Sequence, residues 1–489
     1  MEVPRTAWPA LWALVVGFFM ILVDSTIVSV ATPALMAAFG ADINQVLWVT
    51  SAYLLAYAVP LLITGRLGDR VGPKRVYLTG LAVFTVASLA CGLAPGIGWL
   101  IAARVVQGVG ASMMTPQTMT VITRTFPPQR RGGAMAIWGA TAGVATLVGP
   151  LAGGLLIDSR GWEWIFFVNV PVGLLGLLLV WRLVPDLETH SHSFDGLGVV
   201  LSALGLFCFV FGIQEGESFG WGTIWGPVSV PVLIGAGIVL LVVFVWWQGR
   251  YRGEPLVPLS LFADRNFSMA NIGITAVGFG VTAMIFPFML YAQVVRGLSP
   301  TLAALLLAPQ AVMSLVLAPW AGRLVDRVHP RLLAGLGLFG LASSVFALAA
   351  LMRPGTPYWQ ILAVAVVMGV ASSFVWGPLA TSANRNLPMA MAGAGSGVYN
   401  TTRQMGSVLG SAAIAALMTA RVSVHLPGAG SAVEQGRLPV ALQGPYAQAL
   451  AESMLLPGGV LLVGWVAALF FENARHLTDR REPMIRAGS

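Results

Sequence analysis

Two ionisable residues within apolar stretches of this 489-residue chain, Asp24 and Arg104, could do chemistry together. An ionised side chain in hydrocarbon costs at least about 2.5–3.5 kcal/mol, so each should face a cavity and have a partner. Burial and a neighbouring cation act in opposite directions on a carboxylate. We therefore expect Asp24 to bind either a proton or an organic cation, with Arg104 tuning the proton. The structural alternatives are an Asp24 that bonds a neighbouring helix and an Arg104 that bonds carbonyl groups.

Arg403 is another arginine within an apolar stretch, so the embedded charges are two positive and one negative. If Arg104 and Arg403 both face a cavity, an amphipathic anion or a neutral metabolite becomes an alternative ligand. An arginine that packs between helices and bonds carbonyl groups is the structural alternative. The sequence leaves these alternatives open.

Polar-edged and polarizable side chains in the same stretches could line a pocket for a ligand of this kind. Amphipathic aromatic rings and flexible methionines adapt to varied ligand shapes. The structural alternative is that they pack against neighbouring helices. Besides Asp24 and Arg403, the candidates are Trp48, Tyr53, Gln107, Met114 and Gln117.

The sequence favours no enzyme, metal site or cofactor. It contains no H-E-x-x-H motif, which would indicate a zinc hydrolase. The five histidines all fall in predicted loops or tails: His190, His192, His329, His425 and His476.

The composition is that of an integral membrane protein. Apolar residues make up 57% of the chain and charged residues 9%, against about 25% charged in soluble domains. Fourteen apolar runs are long enough to cross a bilayer, and each is expected to be a helix because lipid offers no partner to backbone groups. The predicted fold class is therefore all-α.

The basic residues predict the orientation. With the N-terminus inside, 20 of the 27 lie in cytoplasmic segments and 5 on the opposite face, as the positive-inside rule requires. Both termini are then cytoplasmic. The net charge of +8 needs no nucleic-acid partner, because basic loops can lie on anionic lipid headgroups. The chain has 26 arginines and one lysine, a composition typical of a GC-rich bacterial genome. We therefore expect the protein to lie in a bacterial inner membrane.

Two motifs of the first half recur in the second half at nearly the same separation along the chain, which indicates an internal duplication. Residues 65–70, GRLGDR, match GRLVDR at 322–327, and residues 105–109, VVQGV, match VVMGV at 366–370. Parallel six-helix halves suit a carrier with a central site and alternating access. The predicted parts are a first half at 1–185, a two-helix insert with loops at 186–262, and a second half with a tail at 263–489.

Six motifs, in order, resemble those of the major facilitator superfamily and its fourteen-span drug:proton antiporters. The resemblance covers almost the whole chain and implies a 6 + 2 + 6 arrangement of helices. Pro73, Ser29 and Glu163 depart from the usual pattern. The motifs are LVDSTIVSVATP (22–33), GRLGDRVGPKR (65–75), LIAARVVQGVGAS (100–112), GVATLVGPLAGG (143–154), WEWIFFVNVPVG (162–173) and NTTRQMGSVLG (400–410).

The resemblance implies a conformational gate in the loop motif. Asp69 would brace helix ends and the arginines Arg70 and Arg75 when the cytoplasmic side is closed, with Gly65 and Gly72 shaping the loop. A carboxylate at a helix N-terminus is worth typically about 0.3–1 kcal/mol. Simple anchoring in the cytoplasm is the alternative. The weaker counterparts in the second half are Asp326 and Arg327.

Taken together, these features predict proton-coupled efflux of lipophilic, cationic drugs by alternating access, in a monomer whose partners are protons, small molecules and lipids. One proton would exchange for one monovalent cation. The alternative is an exporter of a specific endogenous metabolite, lipid or amphipathic anion. The fifth-span residues expected to allow a bend and close packing are Gly149, Pro150, Gly153 and Gly154.

Overall fold

The computed structural model describes residues 6–126, 128–187, 189, 195–216, 218–251, 253, 255–325, 328–384, 386–387, 392–427 and 438–472. Nearly all of them are helical, because long runs of Leu, Val and Ala meet little interruption. We call the end of the bundle at which the first helix begins the inner end, which is the predicted cytoplasmic side. The opposite end is the outer end.

The first half contains nine helices within the described residues. Glycine and proline mark two of the boundaries between helices. Gly40, with φ of 59°, ends the second helix, and Gly72, with φ of 106°, precedes Pro73 at the start of the fifth. The helices are α1 (Ala7–Ile27), α2 (Thr32–Phe39), α3 (Ile43–Ala58), α4 (Leu61–Val71), α5 (Pro73–Gly92), α6 (Ile97–Thr125), α7 (Pro128–Arg160), α8 (Trp164–Phe167) and α9 (Asn169–Leu183). A 3₁₀ turn at Val28–Ala31 joins the first two.

Two further helices and a short hairpin form the insert. Helix α10 (Gly196–Glu215) packs along α11 (Val230–Arg250), and glycines permit the close approach: a Cβ at Gly237 would lie 2.6 Å from the backbone nitrogen of Phe209. Between the helices, β1 (Thr223–Trp225) pairs with β2 (Val228–Ser229) in an antiparallel hairpin.

The second half contains nine α-helices within the described residues. A 3₁₀ turn at Leu259–Ala263 precedes it, and a π-helical turn at Tyr291–Val295 follows its first helix. The helices are α12 (Arg265–Leu290), α13 (Pro300–Leu305), α14 (Ala308–Val325), α15 (Pro330–Leu351), α16 (Tyr358–Ser373), α17 (Trp376–Asn384), α18 (Ala392–His425), α19 (Val440–Ser453) and α20 (Leu455–Ala468).

Twelve helical segments of the described chain are long and apolar enough to cross a membrane. The α3–α4 pair and α7 are not among them. Helix α4 carries the charged loop motif, and α7 has arginines in its first turn and at its last residue. The sequence-based prediction of fourteen spans therefore stays a prediction, whereas an all-helical membrane protein is confirmed.

The two halves meet at the outer end through specific polar contacts. The Gln293 side-chain amide donates to the Val30 carbonyl at 3.0 Å, and the Thr301 backbone N–H donates to the Asp158 carboxylate at 3.1 Å. Close beside the second contact, a Cβ at Gly154 would lie 2.6 Å from Thr301 Cα. Helices α7 and α13 therefore touch, backbone to backbone, where the halves join.

The substitution Gly154→Val should loosen this junction. Its side chain must displace the α13 backbone, and overpacking of this kind costs typically about 1–3 kcal/mol, so the melting temperature of the purified protein should fall. Gly459→Val is the matched control, because nothing lies within 4 Å of a Cβ there. Equal melting temperatures for the two variants would contradict the close packing of α7 on α13.

Candidate functional site

Asp24 and Arg104 form an ion pair in the interior of the first half. Helix α1 carries the carboxylate and α6 the guanidinium, and an Nη1 hydrogen of Arg104 is donated to Asp24 Oδ2. Both side chains have 0% exposure. The structure thus gives Asp24 the partner that a charged group in an apolar interior requires.

Two amides complete the coordination of the Asp24 carboxylate. Gln107 Nε2 and Asn169 Nδ2 both donate to Asp24 Oδ1, at 2.9 and 2.8 Å. Gln107 also accepts from Arg104 Nη1 at 2.7 Å, so one side chain bridges the two charges. Both carboxylate oxygens are therefore occupied by donors of the protein itself.

The neighbouring helices fix the positions of these groups. Asn169 donates to Ser88 Oγ at 3.0 Å, and Ser88 in turn donates to the Phe166 carbonyl at 2.9 Å. On the other side, Arg104 Nε donates to the Val49 carbonyl at 3.0 Å, and its guanidinium carbon lies 3.9 Å from the centre of the Tyr53 ring. Helices α3, α5 and α9 thus hold the site from three directions.

One atom of the site is left without a partner. Arg104 Nη2 is buried and has no hydrogen bond in the described chain. An unpaired donor in an apolar interior costs free energy, and it can bind a new acceptor without breaking an existing bond. The arrangement is able to hold one proton at Asp24 and to exchange hydrogen-bond partners around Arg104.

Four of the candidate pocket residues are enclosed by the packing of the first half. Tyr53, Gln107, Met114 and Gln117 have 0% exposure and are packed inside the first half. For example, Gln117 donates to the Thr64 carbonyl at 2.6 Å and so ties α6 to α4. The expectation that these side chains line an open pocket therefore has no support from this conformation.

Trp48 contacts the insert. Its indole N–H donates to the Glu215 carboxylate at the end of α10, to which Asn44 also donates at 3.0 Å. The Trp48 ring lies 5.7 Å from the ring of Phe211. Trp48 and Asn44 thus both connect α3 with the insert.

The substitution Trp48→Phe should release the end of α10 while keeping the aromatic contact with Phe211. Loss of one hydrogen bond costs about 0.5–1.5 kcal/mol, and amides near Glu215 should exchange with deuterium faster by a corresponding factor. Trp99→Phe is the control, since that indole is 57% exposed and donates to the Ala90 carbonyl. Unchanged exchange in the Trp48 variant would mean that the bond does not hold the insert.

Arg403 lies on α18 with a partly buried side chain. Within the described chain its guanidinium has neither a hydrogen-bond partner nor a carboxylate within salt-bridge distance. Tyr399 lies one turn before it on the same side of α18. The expected alternative of an arginine that bonds carbonyl groups is not what the structure contains.

The charged loop motif is only partly described. Arg70 and Arg75 are exposed, Gly65 lies inside α4, and Gly72 follows its last residue. The side chain of Asp69, and all of Asp326 and Arg327, lie outside the described residues, so the gate assigned to them stays a prediction. Near the motif, Lys74 Nζ lies 3.7 Å from a carboxylate oxygen of Asp186, which was not expected.

The fifth-span glycines serve close helix packing. A Cβ at Gly149 would lie 1.9 Å from Thr26 Oγ1, and one at Gly153 would lie 2.7 Å from Ile27, both on α1 or its end. Gly154 faces α13 instead, and Pro150 lies inside α7. Three of the four residues therefore let α7 approach both halves closely.

Sequence reasoning missed Asn169 and Ser88. Asn169 lies in one of the quoted motifs, and an amide within an apolar run is itself a sign of a buried polar network. Ser88 carries no comparable signal, because a serine in a helix can bond its own backbone. Among the described residues, no cluster of three His, Cys, Asp or Glu could hold a metal ion.

Comparison with known proteins places this architecture among membrane transporters. The sequence model of the Major Facilitator Superfamily matches residues 14–411. The chain belongs to this superfamily.

Individual members of the superfamily are similar to this chain over most of its length. The chain is 52% identical to an uncharacterized MFS-type transporter of Mycobacterium tuberculosis, over 98% of this chain and 83% of that protein. It is 32% identical to the tetracenomycin C resistance and export protein of Streptomyces glaucescens, over 97% and 93%. Further relatives bear the names of multidrug resistance or export proteins.

The fold is similar to that of a solved bacterial homolog of the human lysosomal transporter Spinster, in an inward-facing and unoccupied conformation. The TM-score is 0.64, with 19% identity and coverage of 96% of this chain and 98% of that chain. At this identity the likeness concerns the fold alone.

The ion pair can be tested by a double-mutant cycle. Arg104→Gln leaves a buried carboxylate without its cation and should destabilise the protein by about 3–5 kcal/mol. Adding Asp24→Asn removes the stranded charge, so the double variant should melt at a higher temperature than Arg104→Gln alone. Strictly additive losses in thermal unfolding would show that the two residues do not interact.

Proposed function

We propose that this protein exports amphipathic small molecules across the bacterial inner membrane in exchange for protons, by alternating access between its two halves. The supporting observation is the buried Asp24–Arg104 pair, which is an ionisable site held inside a bundle of apolar helices. The names of the relatives support export of drug-like compounds. Fourteen membrane passes, cytoplasmic termini and a monomeric carrier belong to the same proposal.

Protonation of Asp24 would remove the charge that balances Arg104. The guanidinium would then be an uncompensated cation in an apolar interior, with one donor already unpaired, so the present arrangement would lose stability relative to another. This is how one proton could bias two nearly balanced conformations.

The contacts between the halves support a rocking motion. Polar contacts at Val30 and Asp158 join the halves at the outer end. A conformation that opens outward must break both. Because each is a single hydrogen bond worth about 0.5–1.5 kcal/mol, a change of charge at Asp24 is large enough to shift the balance.

The charge of the transported molecule is a separate matter. The expectation of a cationic drug assumed that Asp24 faces the cavity and can pair with the drug. In the structure that carboxylate is fully buried and bonded to Arg104, Gln107 and Asn169. The proposed role of Asp24 is therefore proton binding, without direct contact with the transported molecule.

Transport in proteoliposomes with an imposed pH gradient tests this proposal. Asp24→Asn should abolish uphill transport, because the amide cannot take up a proton, while downhill exchange of substrate continues. Asp42→Asn is the matched control: Asp42 caps α3 at the bundle surface, and asparagine caps equally well. An Asp24→Asn variant that pumps uphill at the wild-type rate would refute proton coupling at this site.

A further inference from the structure

Arg403 lies on the face of α18 that points between the two halves. Thr402 and Gly406 face α12: Thr402 Oγ1 donates to Asn271 Oδ1 at 2.7 Å, and a Cβ at Gly406 would lie 2.1 Å from the Thr275 carbonyl oxygen. Ser411, by contrast, bonds Ser51 of α3 at 2.6 Å. Ser407 also faces α12 and donates to the Gly278 carbonyl at 3.3 Å. At about 100° per residue, Arg403 therefore lies on the part of the α12-facing side that is nearer to α3.

The depth of Arg403 favours access from the inner end. It precedes Ser411 by eight residues, which corresponds to about 12 Å along α18 toward the inner end. On α3, Tyr57 follows Ser51 by six residues in the same direction, so the arginine and this tyrosine lie at similar depth. The hydrogen bonds described between the halves, at Val30, Asp158 and Ser51, all lie nearer to the outer end than Arg403 does.

Two tyrosines lie at a similar depth to the arginine. Tyr399, one turn earlier on α18, is 7% exposed and its hydroxyl has no hydrogen-bond partner in the described chain. The Tyr57 hydroxyl shares a hydrogen bond of 2.7 Å with Thr115. A partly buried cation thus lies beside a buried phenol O–H that has nothing to bond, and both groups are donors able to bind an anion.

Among the described residues, Arg403 has no counter-charge. The deep carboxylate of the first half, Asp24, is enclosed and paired with Arg104. No carboxylate oxygen of the described residues lies within 4.0 Å of the Arg403 guanidinium. A cation in an apolar interior normally has a partner or faces a functional cavity, so a partly buried Arg403 without a partner among the described residues is open to a ligand.

We propose that Arg403 and Tyr399 form the binding site for an acidic group of the transported molecule, a carboxylate, sulfonate or acidic phenolate on an amphipathic body. A guanidinium forms two parallel hydrogen bonds with such a group, and the Tyr399 hydroxyl supplies a third donor. Transport of this anion rests on the proposed function, whereas its binding does not.

This site changes the electrical character of the cycle. A monovalent cation leaving while a proton enters moves no net charge. A monovalent anion leaving while a proton enters moves two positive charges inward. Export of an acidic cargo should therefore accelerate when an inside-negative voltage is imposed at equal pH, and export of a neutral cargo should respond to it less.

Equilibrium binding tests the site without any transport. The probes are a matched fluorescent pair, dansyl sulfonate and the neutral dansyl sulfonamide, titrated into purified protein in nanodiscs. The wild type should bind the sulfonate about 10- to 100-fold more tightly than the sulfonamide, as expected for charge-assisted hydrogen bonds. Arg403→Gln should lose that preference, and Arg403→Lys should retain part of it.

Arg421→Gln is the control variant. Arg421 lies on the same helix near the outer end, where it pairs with Glu452 at 3.5 Å, so its loss should leave sulfonate affinity unchanged. Tyr399→Phe should weaken sulfonate binding less than Arg403→Gln does. If Arg403→Gln does not fold, the comparison of the two probes in the wild type still tests the anion site.

Equal wild-type affinity for the two probes, or unchanged sulfonate affinity in Arg403→Gln, would overturn the anion site. Failure of the proposed function would look different: neither probe would follow an imposed pH gradient, although the sulfonate would still bind in a manner that depends on Arg403.

Discussion

The ion pair between Asp24 and Arg104 is the constraint on which the first half depends. Neither charge is tolerated alone in an apolar interior, so α1 and α6 must stay in register with each other. Gln107 and Asn169 then satisfy the oxygen that Arg104 leaves over, which brings α9 into the same network. A site of this kind is rigid while the carboxylate is charged and becomes unbalanced once it is neutral. That property suits a switch better than a binding pocket.

The duplicated halves have diverged in their charges. Ala365, which the internal repeat aligns with Arg104, is a buried apolar residue of α16, so the second half has kept the helical scaffold without the pair. It has an unpaired arginine on α18 instead. Proton chemistry and cargo recognition would then be divided between the halves. Coupling would pass through the contacts of α3 with α18 and of α7 with α13.

Composition and spacing were enough to predict the helical membrane fold and the meeting of Asp24 with Arg104, because an embedded charge demands a partner. The role of Trp48 could not be predicted. The sequence does not distinguish an indole that lines a cavity from one that donates to Glu215, a residue 167 positions further along the chain. The enclosure of Tyr53, Met114 and Gln117 could not be predicted for a related reason. Sequence shows that a side chain is amphipathic, whereas only the packing of α3, α4 and α6 shows that it is enclosed.

The insert has a consequence for molecules dissolved in the bilayer. Helix α10 bonds α3 through Glu215, and its Val210 belongs to the same apolar cluster as Val408 and Ala412 of α18. Helix α10 therefore covers one of the two long seams between the halves, the seam between α3 and α18. A lipophilic compound approaching sideways from the acyl chains meets α10 and α11 there. Under the proposed function, lateral entry would then use the other seam, between α7 and α14, and the carrier would be one-sided within the plane of the membrane.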